Sequence, residues 1–174
     1  PGSIVEQLVI SGAHVLLGGG DKFMRQTTVD GITVAQLAVN QGFQVISRDT
    51  AFDSLTSPKR LLGTFDEETL EVQWQGSDAR VGEPAKLSWL SHISEYFGSV
   101  TEPSPMSCEP NPNYQNTPRL AAMTNLALTH LATDNDQGFF LMIESASIDK
   151  QSHKRNPCGS IGEIAQLEES LVLV

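Results

Sequence analysis

A run of five apolar residues, Phe139 to Ile143, constrains the fold of this chain more than any other feature. The run follows Gly138 and is continuous rather than alternating, which is typical of a central strand buried on both faces. Such a strand needs helices on both sides of its sheet. The run therefore predicts an α/β architecture with this strand near the middle.

Shorter apolar runs alternate with amphipathic helices in the first part of the chain. One helix is predicted over 3–11 with Ser3 as its N-cap, and another over 33–40, ended by Gly42. Strands are predicted over residues 15–17, 44–47 and 60–65. This order predicts an α/β layer architecture with a largely parallel sheet.

Three glycines, Gly18 to Gly20, follow the first predicted strand. They lack the Gly-Lys-Ser/Thr ending of a P-loop and the G-x-G-x-x-G spacing of a dinucleotide site. We therefore expect a tight turn that requires positive φ rather than a phosphate-binding loop.

Residues 66–117 have a different composition and are predicted to be an insertion or long loop within a single domain. Five of the 9 prolines lie at its end and exit, at Pro103, Pro105, Pro110, Pro112 and Pro118. The same region carries aromatic residues, Trp74, Trp89, Tyr96 and Phe97, so we expect some packing of its own. Pro118 is predicted to open a helix that places Leu120, Met123, Ala127 and Leu131 on one face.

The charge and hydropathy of the chain exclude several functions. Its 174 residues carry 11 basic and 21 acidic side chains, a net charge of −10, which leaves no basic surface for nucleic acid. No apolar run approaches the ~20 residues that a membrane-spanning helix requires. No serine lies in a G-x-S-x-G motif, so a hydrolase-type serine triad has no support.

Candidate chemistry lies directly after the long apolar run. Glu144 follows the predicted strand, and Asp149 and His153 are four residues apart, so a helical turn would place them on one face. A carboxylate and an imidazole so placed can bind one zinc ion, and Glu144 is an oxygen donor suited to magnesium. The spacing also fits a solvated Asp–His pair, and Lys150 fits either an exposed lysine or a cation near an anionic substrate.

The two cysteines, Cys108 and Cys158, form no C-x-x-C pair, which argues against a structural zinc site. The sequence leaves open whether they form a disulfide or remain two buried thiols. The remaining histidines, His14, His92 and His130, are predicted to be structural or solvated.

A last helix is predicted with Ser160 as N-cap and Glu163 completing a capping box. Its apolar residues, at helical spacing, are Ile161, Ile164, Leu167, Leu171 and Val174. Because this pattern stops without a glycine or a polar tail, we expect the sequence to be a portion of a longer domain.

The stretch G-F-F-L-M-I-E-S-A-S-I-D-K-Q-S-H-K-R-N-P-C-G-S-I-G-E closely resembles the corresponding stretch of bacterial alkaline phosphatases. The segments G-S-I-V-E-Q-L, V-L-L-G-G-G, L-L-G-T-F, V-Q-W-Q-G and C-E-P-N-P resemble the same family in the same order. The resemblance covers nearly the whole chain and is weakest across residues 77–107.

The resemblance implies a three-layer α/β/α sandwich around a central, mostly parallel sheet, which is incomplete here. It also implies hydrolysis of phosphate monoesters through a phosphoserine intermediate at a site with two zinc ions and one magnesium ion. Glu144 matches a magnesium ligand, and Asp149 and His153 match ligands of one zinc ion. Lys150 matches a lysine that assists phosphate binding through water.

The resemblance also bears on pairing, location and assembly. Cys108 and Cys158 match a pair that forms a disulfide, which favours the oxidised alternative and a periplasmic or secreted protein. The family is commonly dimeric, so the resemblance implies a homodimer in the complete enzyme that acts on small phosphate monoesters, with no specific binding of nucleic acid.

The family's remaining catalytic residues have no counterpart in these 174 residues. The Asp-Ser-Ala motif of the nucleophile, the phosphate-binding arginine and a magnesium-binding threonine would lie upstream, and an Asp-His pair and a final histidine downstream. We therefore expect no catalytic nucleophile in this segment and no hydrolysis by the chain alone. The alternative is a non-catalytic fragment or degenerate homologue that keeps a partial metal site for binding or assembly.

Overall fold

The computed structural model describes residues 2–52, 55 and 60–174. In those residues the helices are α1 (Gly2–Ile10), α2 (Asp21–Met24), α3 (Val34–Asn40), α4 (Leu120–Ala132), α5 (Ser147–His153) and α6 (Pro157–Leu171). The strands are β1 (Val15–Gly18), β2 (Phe43–Ile46), β3 (Arg60–Thr64), β4 (Trp74–Gly76), β5 (Lys86–Leu87), β6 (Val100–Thr101) and β7 (Cys108–Pro110). Short 3-10 turns lie at Ser77–Ala79 and Trp89–His92.

The chain divides into two compact units. The sheet unit comprises the described residues within 1–71, 113–145 and 165–174. The disulfide unit comprises residues 72–112 and 146–164. The first contains the parallel sheet, and the second contains the four short strands and α5.

The sheet unit is built on three parallel strands in the order β1-β3-β2. In register, Val15 lies opposite Leu61, and Phe43 lies opposite Arg60. A Cβ on Gly63 would lie 2.5 Å from the Phe65 ring, so only glycine fits there. The parallel order confirms the α/β class predicted from the alternating runs.

Two clusters of buried apolar side chains form the core of this unit. One joins helices α1, α2 and α3 to the sheet and consists of Val9, Met24, Val34, Ala38, Phe43 and Leu62. The other joins α4 to the sheet through Ile46, Phe65 and Met123. The helices thus cover the sheet with the apolar faces that their sequence periodicity predicts.

Several local predictions are confirmed. The Thr33 side chain caps α3 by accepting a hydrogen bond from the Gln36 amide at 3.1 Å, and Gly42 has φ +84° after the helix. Gly20 has φ +98°, as the predicted turn requires, and a Cβ on Gly19 would lie 2.5 Å from the Glu68 carbonyl oxygen. Backbone conformation and close packing therefore account for glycine at positions 19 and 20, as the predicted tight turn requires.

The predicted central strand over 139–143 is wrong. The run has no regular secondary structure and is paired with no described strand, and Phe140 is 89% exposed. It lines an open groove of about 1600 Å³ in the sheet unit together with Leu16 of β1. An apolar run indicates a tendency to be buried, whereas a strand also needs a neighbouring backbone to pair with, and no described strand provides one.

Three predicted helix starts are also wrong. Ser3 lies inside α1, which begins at Gly2, and α4 begins at Leu120 after an extended Arg119 rather than at Pro118. Ser160 lies inside α6. In each case a residue type that is common at helix starts lies near the helix end but not at the position where the backbone enters the helix.

Candidate functional site

Helix α5 carries Asp149, Lys150 and His153 in the disulfide unit. Asp149 Oδ1 and His153 Nε2 are 3.5 Å apart, and these two side chains are 79% and 80% exposed. Residues four apart in a helix lie on one face, so the predicted juxtaposition of the carboxylate and the imidazole is confirmed. Lys150 is exposed as well.

The opposite face of α5 fixes the direction of that pair. Ser147 and Gln151 are buried, each two residues from Asp149 and therefore about 200° around the helix. Because a buried face holds the helix against the unit, Asp149 and His153 are directed outward. The orientation follows from tertiary packing and not from the D-x-x-x-H spacing.

The turn between α5 and α6 is held by Asn156. Its Oδ1 accepts a hydrogen bond from the Gly159 amide at 3.1 Å, and its Nδ2 donates to Gln151 Oε1 at 2.9 Å. Asn156 is thus the N-cap of α6, followed by Pro157 at the first helical position. A Cβ on Gly159 would lie 2.8 Å from Gln151 Cγ, so glycine permits the two helices to approach.

The predicted capping box of α6 does not form. Glu163 Oε1 accepts a hydrogen bond from the Gln73 amide at 3.3 Å, and the Ser160 amide donates to the Asn156 carbonyl at 3.1 Å. The dipeptide Asn156-Pro157 was the sequence signal for the true cap, and the S-x-x-E pattern four residues later concealed it.

A disulfide between Cys108 and Cys158 cross-links β7 to the first turn of α6. The pairing implied by the family resemblance is therefore present. Cys158 is buried, and it lies five residues after His153. The cross-link tethers the helix pair that presents Asp149 and His153.

The geometry of this pair suits a zinc ion. Two donors about 2.1 Å from a tetrahedral zinc ion lie about 3.4 Å apart, close to the observed separation of 3.5 Å. The pair provides two ligands, whereas catalytic zinc sites have three protein ligands. Among the residues that the structure describes, no group of three or more His, Cys, Asp or Glu side chains is placed to hold a metal ion.

Glu144 lies in the sheet unit, directly after the run 139–143 and in a segment without regular secondary structure. Its side chain is exposed. The strand end predicted for it is not formed, so its place at the edge of the sheet is not realised. Of the other histidines, His14 and His92 are exposed and His130 is half-buried.

A charged cluster also lies at the carboxyl ends of the sheet strands, where α/β proteins commonly place their sites. Arg25 pairs with both Asp21 and Glu67, and Arg48 pairs with Asp66 at 2.9 Å. The hydrogen bond from Arg25 to Glu67 raises the pKa of the guanidinium. Because these charges pair with one another, the cluster is a structural network.

The three-stranded parallel sheet with helices packed against it defines a layered α/β protein. The alkaline phosphatase family model matches residues 2–173, and the chain belongs to that family. Membership is thus established by almost the whole chain and not by the α5 motif alone.

Similar proteins support this assignment. The chain is 38% identical over 178 residues to the alkaline phosphatase of Escherichia coli, covering 98% of the chain and 34% of that protein. It is 35% identical to alkaline phosphatase H of Pseudomonas aeruginosa, with the same coverage of 98% and 34%. It is also 34% identical over 182 residues to the streptomycin-6-phosphate phosphatase of Streptomyces griseus, covering 98% of the chain and 36% of that protein.

Solved structures show the same fold. The alkaline phosphatase of Thermus thermophilus superposes with a TM-score of 0.67 at 22% identity, covering 99% of this chain and 29% of that one. A mutant of the TAB5 alkaline phosphatase, described with Mg bound in its M3 site, superposes with a TM-score of 0.62 at 20% identity, covering 98% and 38%. The chain thus spans about a third of the length of the relatives it matches.

No helix among the described residues is long and apolar enough to cross a membrane.

Proposed function

We propose that these residues form an internal portion of the catalytic domain of an alkaline phosphatase that hydrolyses phosphate monoesters. The observation that carries the proposal is the family match over residues 2–173. The relatives in this family include three named as phosphatases that align with 98% of the chain. In the complete protein the reaction would proceed through a phosphoserine whose serine lies outside these residues.

In this proposal Asp149 and His153 bind one zinc ion, and Glu144 binds magnesium. The separation of 3.5 Å between Asp149 Oδ1 and His153 Nε2 supports the first assignment, because it suits two donors on one tetrahedral ion. The carboxylate of Glu144 has the hard oxygen atoms that magnesium prefers. The assignment of Glu144 rests on the motif that it shares with the family.

The chain's own side chains have three tasks in this reaction. Asp149 would provide a carboxylate oxygen and His153 an imidazole nitrogen as ligands. Gln151 is buried on the opposite face of α5 and thereby keeps both ligands directed outward. The Lys150 ammonium, next to Asp149 in the chain, would attract the phosphate through a water molecule. The bound metals would supply Lewis acidity that offsets the charge of the transferring phosphoryl group.

The disulfide and the family favour a periplasmic or secreted protein that works as a homodimer. Disulfides persist in oxidising compartments and are rare in the cytosol, so the Cys108–Cys158 bond supports this location. The substrates in this proposal are small phosphate monoesters. The net charge of −10 argues against nucleic acid as a partner.

Zinc binding by the chain tests the site assignment. Competition with a chromogenic chelator would measure zinc affinity for the chain, for Asp149→Ala and for His153→Ala, with His92→Ala as a control that removes an exposed histidine of the same unit. We expect each ligand variant to lose affinity by about 10-fold or more and the control to bind like the parent. Equal affinity in all four proteins would contradict the assignment.

Turnover of p-nitrophenyl phosphate tests the reaction. We expect none from the 174 residues alone, even with zinc and magnesium, because no Asp-Ser-Ala tripeptide is present. We expect turnover from the whole protein that contains them, abolished by a chelator and restored by zinc and magnesium. Turnover by the 174 residues alone would refute the first expectation, and a whole protein that binds zinc without turnover would favour the non-catalytic alternative.

A further inference from the structure

Three basic side chains lie within six positions beside the Asp149–His153 pair. They are Lys150, Lys154 and Arg155, and all three are exposed. A chain with 11 basic and 21 acidic residues thus places more than a quarter of its cations in this short segment. Asp149 is the one acidic residue in helix α5 and the turn that follows it. We call the three basic residues the basic cluster.

The basic cluster differs from most other cations of the chain in having no partner. Other basic side chains that the structure describes bond to carboxylates or to backbone carbonyls; these are Lys22, Arg25, Arg48, Arg60, Arg80 and Arg119. Within the described part of the chain, the three side chains of the basic cluster make no hydrogen bond or ion pair, and Lys86 is the one further cation of this kind. A chain with an excess of carboxylates therefore leaves the basic cluster open to an anionic ligand.

Helix α5 places the two lysines of the basic cluster one turn apart. The Lys154 amide donates to the Lys150 carbonyl at 3.1 Å, which is the bond of a helical turn. Lys150 is also three residues from His153, and side chains three or four positions apart on a helix have Cβ atoms about 5–6 Å apart. Lys150 is therefore a neighbour of both His153 and Lys154, so the basic cluster continues from the metal pair toward the end of α5.

The stability of α5 does not account for the whole basic cluster. Like charges four residues apart on a helix repel, as Lys150 and Lys154 do, and Arg155 adds a third positive charge beside them. The helix dipole favours cations in the last turn, but Arg155 lies beyond the end of α5. Helix stability therefore explains a lysine near the end of α5 better than it explains the arginine after it.

Arg155 is held in a backbone conformation that an arginine rarely adopts. Its φ is +55°, in the left-handed region where glycine or asparagine usually follows a helix. Bonds on both sides fix this conformation: the Arg155 amide donates to the Ser152 carbonyl at 3.0 Å, and the Gly82 amide donates to the Arg155 carbonyl at 2.5 Å. Strained positions of this kind cluster at binding sites, so the strain points to a use for the guanidinium.

We propose that Lys154 and Arg155 bind a second anionic group of the substrate, while its phosphate lies at the metal pair and Lys150. The inference rests on the proposed function and gives that site a substrate class, namely phosphate monoesters that also carry a carboxylate or a second phosphate. Lysine binds such a group as a point charge, and arginine binds it through two parallel N–H donors. The bound anion offsets the repulsion within the basic cluster.

Two phosphonates that differ by one carboxylate test the proposal without catalysis. Phosphonoalanine carries a carboxylate that aminoethylphosphonate lacks, and neither has a phosphoester bond that could be hydrolysed. We expect NMR titrations of the chain's amide groups at low salt to show about fivefold tighter binding of phosphonoalanine, with the largest shifts at residues 150–155. Added salt should reduce the difference, because exposed charges are screened.

Three variants locate the effect. Lys154→Gln/Arg155→Gln should bring the two affinities to within about twofold of each other. Lys154→Arg/Arg155→Lys keeps both charges and should keep the preference for phosphonoalanine. Lys86→Gln is the matched control, because it removes the other unpartnered cation of the disulfide unit that the structure describes, and it should leave the preference unchanged. Far-UV circular dichroism and a closed disulfide show that each variant is folded.

Kinetics of the whole protein provide a second readout. Free O-phosphoserine differs from O-phosphoethanolamine by a carboxylate, so the ratio of their kcat/KM values measures recognition of that group. We expect this ratio to fall about fivefold in Lys154→Gln/Arg155→Gln, mainly through a higher KM for O-phosphoserine, and to stay the same in Lys86→Gln.

Two results would overturn the proposal. One is a parent chain that binds neither phosphonate or binds both equally. The other is a preference that Lys86→Gln reduces as much as Lys154→Gln/Arg155→Gln does, which would show attraction by the overall charge and not by the basic cluster. If the whole protein hydrolyses neither substrate, the proposed function fails, and the phosphonate titrations still decide whether the basic cluster recognises the carboxylate.

Discussion

The two units of this chain are stabilised in different ways. The sheet unit buries the two apolar clusters that join its helices to a parallel sheet. In the disulfide unit, Val72 and Cys158 are the buried hydrophobic residues among those described. Its other buried side chains are polar, namely Asn111, Ser147, Gln151 and Glu163.

The disulfide unit replaces apolar burial with specific bonds. The buried Asn111 donates to the Val72 carbonyl at 2.8 Å, and Asn156 and Gln151 join its two helices. A Cβ on Gly162 would lie 2.7 Å from the Trp74 ring, so the close packing there requires glycine, which has no side chain. A region with little apolar core needs cross-links, as in small disulfide-rich domains. The contrast predicts that different substitutions damage the two units.

The largest effect is expected from removing the disulfide. In the chain-entropy model, closing a loop of this length stabilises by roughly 4 kcal/mol, so Cys108→Ser/Cys158→Ser should lose about that much in the disulfide unit. Both tryptophans lie in this unit, so their fluorescence during urea unfolding reports it, while far-UV circular dichroism is weighted toward the sheet unit. An equal loss of unfolding free energy by both probes would show that the disulfide stabilises the two units alike.

A core truncation should damage the sheet unit. Leu62→Ala removes a side chain that is buried against Val9 and Phe43, and it should cost about 3 kcal/mol through lost burial and a cavity. Leu171→Ala is the matched control, because that leucine is 62% exposed in this chain and should change the free energy of unfolding by less than about 0.5 kcal/mol. Similar losses in the two variants would contradict the assignment of the core.

A smaller effect is expected from the cap of α6. Asn156→Ala removes the acceptor for the Gly159 amide and should cost about 1 kcal/mol, measured by tryptophan fluorescence in urea. Ser160→Ala alters the residue that the sequence pattern favoured as the cap, and it should cost less than half as much. If Ser160→Ala lowered the free energy of unfolding more than Asn156→Ala, the predicted capping box would be supported and the assignment of Asn156 as the N-cap would be refuted.

The smallest effect is expected at a surface ion pair. Arg119 and Glu169 of the sheet unit are 2.6 Å apart, and both side chains are nearly half exposed. Arg119→Ala should cost roughly 0.5 kcal/mol at low salt and less at high salt, since exposed pairs are weak and screened. A loss that is larger and independent of salt would mean that packing of the arginine stem, and not its charge, stabilises the unit.

Local patterns were enough to predict the first part of the sheet unit. Helix α3 begins after Thr33 and is followed by Gly42 because its caps are made by residues within a few positions of its ends. The strands β1, β2 and β3 follow from short apolar runs. On α5, the i, i+4 spacing alone places Asp149 beside His153.

Contacts between distant segments decided the rest. Whether Phe139 to Ile143 forms a strand depends on a pairing backbone, which no local pattern reports. The capping box of Ser160 and Glu163 does not form, because the Glu163 carboxylate accepts a hydrogen bond from the distant Gln73 amide instead.

The sequence by itself determined the family and the α/β class, because these depend on residue types and local spacing, and the same local spacing places Asp149 beside His153. Tertiary structure decided that Ser147 and Gln151 face inward, so that Asp149 and His153 face outward. It also decided that Ser88 and Ser91 hydrogen-bond to Ser99 within residues 86–101, while the Tyr96 and Phe97 rings of that segment remain exposed. The direction of a side chain depends on what packs against its segment, and that is set by parts of the chain distant in sequence.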